Sequence, residues 1–361
     1  MRFADEYRDQ ELVLSLSEKI HRVSKKPVAF MEVCGGHTMA VHRYGLHALL
    51  PATVKLLSGP GCPVCVTATS FIDTALELSR IPSNIITTFG DLIRVPGTFT
   101  SLEKERMNGG DIRIVYSILD AIALAHANPA KNIIFLGIGF ETTAPATAAG
   151  IKKAALERLS NFSVLSSHKI MPPVMEALIN EGVKLNGYIA PGHVSAITGS
   201  SIYNKIAEVY RLGVVISGFE PADILQSILM LVEQVENDRP AVEIAYKRVV
   251  KHEGNLIAQQ LLNDIFEPAD DWWRGFGIIP GSGLKIRQKY EEWDAIKKFP
   301  VNIPIPKEPK GCICGDILKG VKTPKECPLF GKVCNPENPV GACMVSGEGS
   351  CGTWFKYHGG I

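Results

Sequence analysis

Neither sign of charge predominates in this chain. Thirty-eight Lys and Arg stand against 37 Asp and Glu, a formal net charge of +1, so no long-range field draws it to nucleic acid or an anionic membrane. No apolar run approaches the ~18 residues of a membrane span. The amino end, Met1-Arg2-Phe3-Ala4-Asp5-Glu6, is charged where a secretory signal needs an apolar stretch. The expectation is a protein of the reducing cytoplasm, bound neither to nucleic acid nor to membrane. There is no phosphate loop ending in Gly-Lys-Ser/Thr, and Gly281-Ser282-Gly283 is too short to read as a nucleotide site. Cysteine is missing from the whole stretch between Cys65 and Cys312. The nine cysteines are gathered at the two ends, and an odd number so divided makes a poor disulfide framework and a good metal or redox pattern.

At 361 residues and 46% apolar, the chain is long enough for two or three cores. Between about residues 27 and 219, β-branched runs alternate with longer amphipathic ones. That pattern predicts an α/β protein of open parallel-sheet (βαβ) domains. Strands are expected at 28–33, 54–57, 84–88, 112–115, 132–137, 163–166, 188–190 and 214–217. Eight strands exceed the need of one such domain, so the chain divides near His126-Ala127-Asn128-Pro129 into a first domain, 28–128, and a second, 129–240. Residues 241–361, joined by an N-terminal helix within 1–27, form a third. Helices are expected at 255–266 and 287–298, followed by an extended linker at Pro300, Pro304, Pro306 and Pro309.

A weak repeat supports the division. Phe89-Gly90-Asp91, Gly139-Phe140-Glu141 and Gly218-Phe219-Glu220 each follow a strand, with Pro96, Pro145 and Pro221 beyond. Strand carboxyl ends in open α/β sheets face the ligand crevice, which points Asp91, Glu141 and Glu220 toward a common cleft. Capping of the following helix would place the same carboxylates equally well.

The last segment is rich in Gly, Pro and Cys, so a metal must organise it. Without histidine among the cysteines, a four-cysteine zinc site and an iron-sulfur cluster are the two choices. The wide, uneven spacing of Cys314, Cys327, Cys334 and Cys351 favours the cluster. At the other end, Cys34 falls in the turn Cys34-Gly35-Gly36-His37-Thr38, where helix amides favour a thiolate, as nucleophile or soft-metal ligand. Cys62 and Cys65 form a C-x-x-C with proline inside, suited to a dithiol that opens and closes or to joint metal ligation. His37 and His193, each beside glycine after a strand, are the candidate acid-base groups.

These motifs, with Arg94-Val95-Pro96-Gly97, Glu141-Thr142-Thr143, Pro191-Gly192-His193-Val194-Ser195 and Cys327-Pro328-Leu329-Phe330-Gly331, resemble the HypD family from residue 34 to the end. The resemblance implies two related α/β domains facing a cleft and a third domain carrying a [4Fe-4S] cluster. It implies assembly of the Fe(CN)2CO centre of nickel-iron hydrogenases, together with a small HypC-like partner and a HypE-like cyanide donor. The protein would then be an assembly scaffold with redox activity, not a conventional turnover enzyme. By position, Cys34 corresponds to the iron-holding cysteine and Cys62 and Cys65 to the redox pair. Cys314, Cys327, Cys334 and Cys351 correspond to the cluster ligands, while Cys312 and Cys343 fall outside the pattern and either could replace a neighbour. Asp91, Glu141, His37, His193 and Glu220 would line the cleft. The competing readings are an iron-sulfur oxidoreductase acting on a protein disulfide, of the ferredoxin-thioredoxin reductase type, and a zinc-organised binding module.

Overall fold

The expected β-branched runs all form strands in the computed structural model, which describes residues 5–359. They are β1 (Val28–Glu32), β2 (Val54–Ser58), β3 (Asn84–Thr88), β4 (Ile112–Ile114), β5 (Asn132–Gly139), β6 (Phe162–Lys169), β7 (Gly187–Pro191) and β8 (Gly213–Ser217). Three more follow: β9 (Val242–Ile244), β10 (Phe266–Trp273) and β11 (Gly277–Ile286). Strands β3, β7 and β8 are buried along their whole length, as in parallel sheets covered by helices on both faces.

How the strands associate differs from the expected division. One sheet has the order β2-β1-β7-β8-β9 and is parallel throughout; the other runs β10-β11-β6-β5-β3-β4. The chain therefore builds two strands of the first sheet, four of the second, three more of the first and a final antiparallel hairpin on the second. A boundary near residue 128 falls between β4 and β5, both members of the second sheet. The architecture is still two open α/β sheets, but they interleave in sequence. Hydrophobic runs specify strands without specifying neighbours, so this was hidden from a reading along the chain.

The amino-terminal helix, Gln10–Val23, is capped by Asp9, whose Oδ1 accepts from the Leu12 amide at 2.8 Å. Its Leu16 and Ile20 join the core of the first sheet with Val28, Phe30 and the helix Pro221–Glu236. It belongs to that sheet and not, as expected, to the carboxyl-terminal region. Residues 1–4 of the expected 1–27 segment lie outside the described residues. The expected helix at 255–266 is Leu256–Ile265, while 287–298 is a 3-10 stretch, Gln288–Trp293, followed by the short helix Ala295–Lys298. After the linker the chain makes only short helices, Cys314–Leu318, Pro324–Glu326, Ala342–Val345 and Ser350–His358. Among the described residues, no helix is long and apolar enough to cross a membrane.

Candidate functional site at the strand ends and the cysteine file

Sheet order decides where a crevice opens. In the first sheet β1 leads to β2 on one side while β7 leads to β8 and β9 on the other; in the second, β3 leads to β4 and β5 leads to β6. Each sheet thus has a switch point, between β1 and β7 and between β3 and β5, where ligands gather beyond the carboxyl ends. Cys34 follows β1, His193 follows β7, Asp91 follows β3 and Glu141 follows β5.

Cys34 is the N-cap of the helix Gly35–Arg43 and only 3% exposed. Its Sγ stands 3.9 Å from His193 Nε2. The loop carrying Cys62 presses on it from behind: a Cβ on Gly61 would lie 2.2 Å from the Cys34 Cα, so only glycine permits this approach. His37 and His193 stack on the two sides of Phe219, with ring centroids at 4.7 and 5.1 Å. His37 Nε2 donates to the Gly218 carbonyl at 2.9 Å, leaving Nδ1 buried without a partner among the described residues. Burial, aided by His193, pushes His37 down to about 3, and burial pushes His193 to about 4, so both are neutral at pH 7. Phe219, noticed in the sequence only as part of a repeat, orders both imidazoles.

The Cys34 thiol is pushed up to about 12, by burial and then by the nearby Glu348 carboxylate, against the opposing pull of the His37 and Gly36 amides. The helix start alone does not yield the expected thiolate. Glu348, which the sequence reading did not select, lies against Gly35 and is itself raised by burial and by Asp91. A cavity of about 310 Å³ opens above this group, lined by Arg8, Arg43, Gly36, His193, Phe219 and Glu348 among others.

The three carboxylates differ. Glu141 is buried, accepts from the Met171 amide at 2.9 Å through Oε1, leaves Oε2 without a partner, and is pushed up to about 7 by burial. Glu220 binds Arg8 at 2.8 Å on the cavity rim while its own amide donates to Asp223. Asp91 is exposed at the start of the turn Leu92–Arg94. Of the three, Glu220 lines the cavity, Glu141 is buried against the Met171 amide, and Asp91 reaches the site through its field on Glu348.

The remaining cysteines form a file. The Cys65 amide donates to Cys62 Sγ at 3.4 Å. The Cys65 side chain hydrogen-bonds that of Cys343, whose Sγ is 2.7 Å from Cys314 Sγ, and Cys314 in turn meets Cys312. Cys343 thus joins the amino-terminal pair to the carboxyl-terminal group, and no disulfide is formed. Cys314, expected among the cluster ligands, has Cys343 as its close partner. Cys351 has Cys314, Cys334, Cys312 and Cys327 among its neighbours. Among the described residues, no three His, Cys, Asp or Glu side chains close around a single ion. A cubane spreads its four thiolates over four iron corners and asks for a wider arrangement. The donors suit one: the cysteines are buried except Cys312, and the Val340 amide donates to Cys334 Sγ at 3.4 Å, the kind of contact that steadies a cluster thiolate.

Comparison with known proteins agrees. The family model HypD, described as "Hydrogenase formation hypA family", matches residues 11–358. The hydrogenase maturation factor HypD2 of Bradyrhizobium diazoefficiens is 46% identical, covering 99% of this chain and 97% of that protein. HypD of Rhodobacter capsulatus is 43% identical over 99% of both chains, and HypD of Escherichia coli K12 is 42% identical over 99% of this chain and 98% of its own. The chain belongs to the HypD family.

Proposed function

For this member of the HypD family we propose a role as a hydrogenase maturation factor of the cytoplasm, a scaffold on which the Fe(CN)2CO unit is assembled at Cys34. The observation that carries the reading is the gathering, at the switch point of a parallel sheet, of a buried thiol, two neutral imidazoles and a packed C-x-x-C, beside a cavity that His193 and Phe219 line. Iron destined for cyanide and carbon monoxide is low-spin and soft, and thiolate is its apt anchor. Binding of iron(II) displaces the Cys34 proton, which His193 at 3.9 Å is placed to accept. Gly36 leaves the approach to the sulfur open, and His193, once it has taken that proton, can donate it in a hydrogen bond to a cyanide nitrogen.

Cyanide arrives on a sulfur carrier. In our reading the carrier's S–CN bond breaks as Cys62 and Cys65 give up two electrons and two protons. The products are the carrier thiol, hydrogen cyanide and a Cys62–Cys65 disulfide. Cys343 and Cys314 then reduce that disulfide by exchange, since Cys343 touches Cys65. Cys312, Cys327, Cys334 and Cys351 hold a [4Fe-4S] cluster, with Cys312 in the place first expected for Cys314. When bound, the cluster would supply single electrons to the disulfide that this exchange leaves between Cys314 and Cys343. A HypC-like partner shares the iron and a HypE-like partner delivers the cyanide, at the open mouth of the cavity.

The test is anaerobic purification with the partners, followed by iron, sulfide and infrared analysis. The reading expects about four iron and four sulfide beyond the cargo iron, with cyanide and carbon monoxide bands that depend on Cys34. Zinc without sulfide refutes the cluster. Full bands in Cys34→Ala refute the anchor. A protein without bands that still reduces a partner's disulfide would be the oxidoreductase of the competing reading.

A further inference from the structure

The thiols that release cyanide end oxidised, so electrons must enter the protein from outside. One surface suits their entry. A recess of about 400 Å³ lies between the loop after β3, the linker and the loop after Cys334, with Arg94, Phe99, Lys104, Lys307, Lys310 and Val340 in its lining. Val340 is the residue whose amide donates to Cys334 Sγ, so the recess floor lies one hydrogen bond from a proposed cluster ligand. Phe99 is 77% exposed beside it, an unusual position for a large apolar ring.

The charges around the recess do not balance. Glu103 faces Arg94, and Glu308 is taken by Arg274 at 2.8 Å and by the Thr69 hydroxyl at 2.7 Å. Lys104, Lys307 and Lys310 are exposed, and among the described residues none makes an ion pair; only Glu337 on the rim opposes them. An exposed aromatic ring beside unpaired lysines in a largely polar recess suits a small, transient, electrostatically guided interface.

We propose that this recess docks an acidic one-electron carrier protein, which re-reduces the thiol file. The proposal rests on the redox reading given above. Two carrier molecules each give up one electron. With two protons these break the Cys314–Cys343 disulfide left by exchange and form two thiols.

The probe is a purified acidic [2Fe-2S] ferredoxin. Its binding to the whole protein is followed by calorimetry, and the state of Cys314 and Cys343 by alkylation and mass spectrometry after photoreduction. Binding is expected to weaken as salt rises from about 0.01 to about 0.15 M. Combined Lys104→Glu, Lys307→Glu and Lys310→Glu should weaken it ~tenfold or more by setting like charges face to face, and slow thiol recovery in proportion. The same reversal at Lys131, Lys184 and Lys205, outside the recess lining, should change neither. Ferredoxin that fails to bind, or binds equally after reversal at the recess, overturns the proposal even if the protein holds its full iron and sulfide. Lysine-dependent binding to a protein devoid of sulfide upholds the dock and places the failure in the cluster assignment.

Discussion

Replacing Glu141 by Gln should stabilise the fold at alkaline pH while abolishing maturation. Burial pushes the Glu141 carboxyl from 4.5 up to about 7, so the folded state holds this proton more tightly than the unfolded chain does. The stability tied to it is complete below about pH 4.5, falls as pH rises, and is lost above about pH 7. The gap of about 2.5 pH units corresponds to about 3 kcal/mol at full ionisation. Gln keeps an oxygen to accept from the Met171 amide and never carries the buried charge. Urea unfolding under anaerobic conditions should therefore place Glu141→Gln above the parent by up to about 3 kcal/mol at pH 9, with the margin shrinking to a small fraction near pH 4.5. A variant equal to or less stable than the parent at pH 9 would refute the argument, showing that the carboxylate is ionised in the fold at little cost. Loss of maturation in a more stable protein would mark Glu141 as a residue kept for chemistry.

Cys34→Ala should lose the infrared bands of iron-bound cyanide and carbon monoxide while the broad iron-sulfur absorption and the melting temperature stay close to those of the parent, because the cluster thiols lie in another region of the chain. Cys343→Ser should leave iron and sulfide unchanged but trap the Cys62–Cys65 disulfide, read by alkylation; a fall in iron would instead make Cys343 a ligand. Phe219→Leu removes the ring between His37 and His193, a contact of ~0.5–1.5 kcal/mol. It should let the His193 imidazole titrate closer to 6.5 in an NMR pH series, and an unmoved titration would mean that other groups keep the ring dry.

Strand positions were legible because a buried parallel strand is a short β-branched run, as at Val214, Val215 and Ile216. Positions of Cys34, His193 and Glu141 at strand ends followed from the same signal. Strand partners were not legible: nothing along the chain shows that β1 lies beside β7, 157 residues away by their first pairing, Phe30 with Gly187. The β10–β11 hairpin escaped notice because Pro268, Gly275, Gly277, Pro280 and Gly281 read as breakers, although the antiparallel pairing closes around them. Cys343 looked surplus because spacing in sequence cannot show a thiol reaching Cys65 on one side and Cys314 on the other. Phe219 and Glu348 were missed for the same reason: each works by what it touches across the fold.

Interleaving bears on mechanism as well as topology. The chain passes between the sheets after β2, after β6 and after β9, and the first passage carries the Cys62–Cys65 helix, Pro63–Val66. That helix is held from several sides: Gly61 against the Cys34 backbone, Gly349 against Cys65 Sγ, the Arg274 amide on the Val66 carbonyl, and the Arg274 guanidinium on the Thr67 carbonyl. A dithiol so held does not swing between an iron site and a reductant, as one on a free loop could. Under the proposed function its two ends are used in place, with Cys62 beside the Cys34 loop and Cys65 beside Cys343, and electrons travel by exchange among fixed sulfurs. The iron at Cys34 and the thiols that are spent, under the same proposed function, then sit on one fixed frame, with Cys343 as the outlet for the electrons of Cys65.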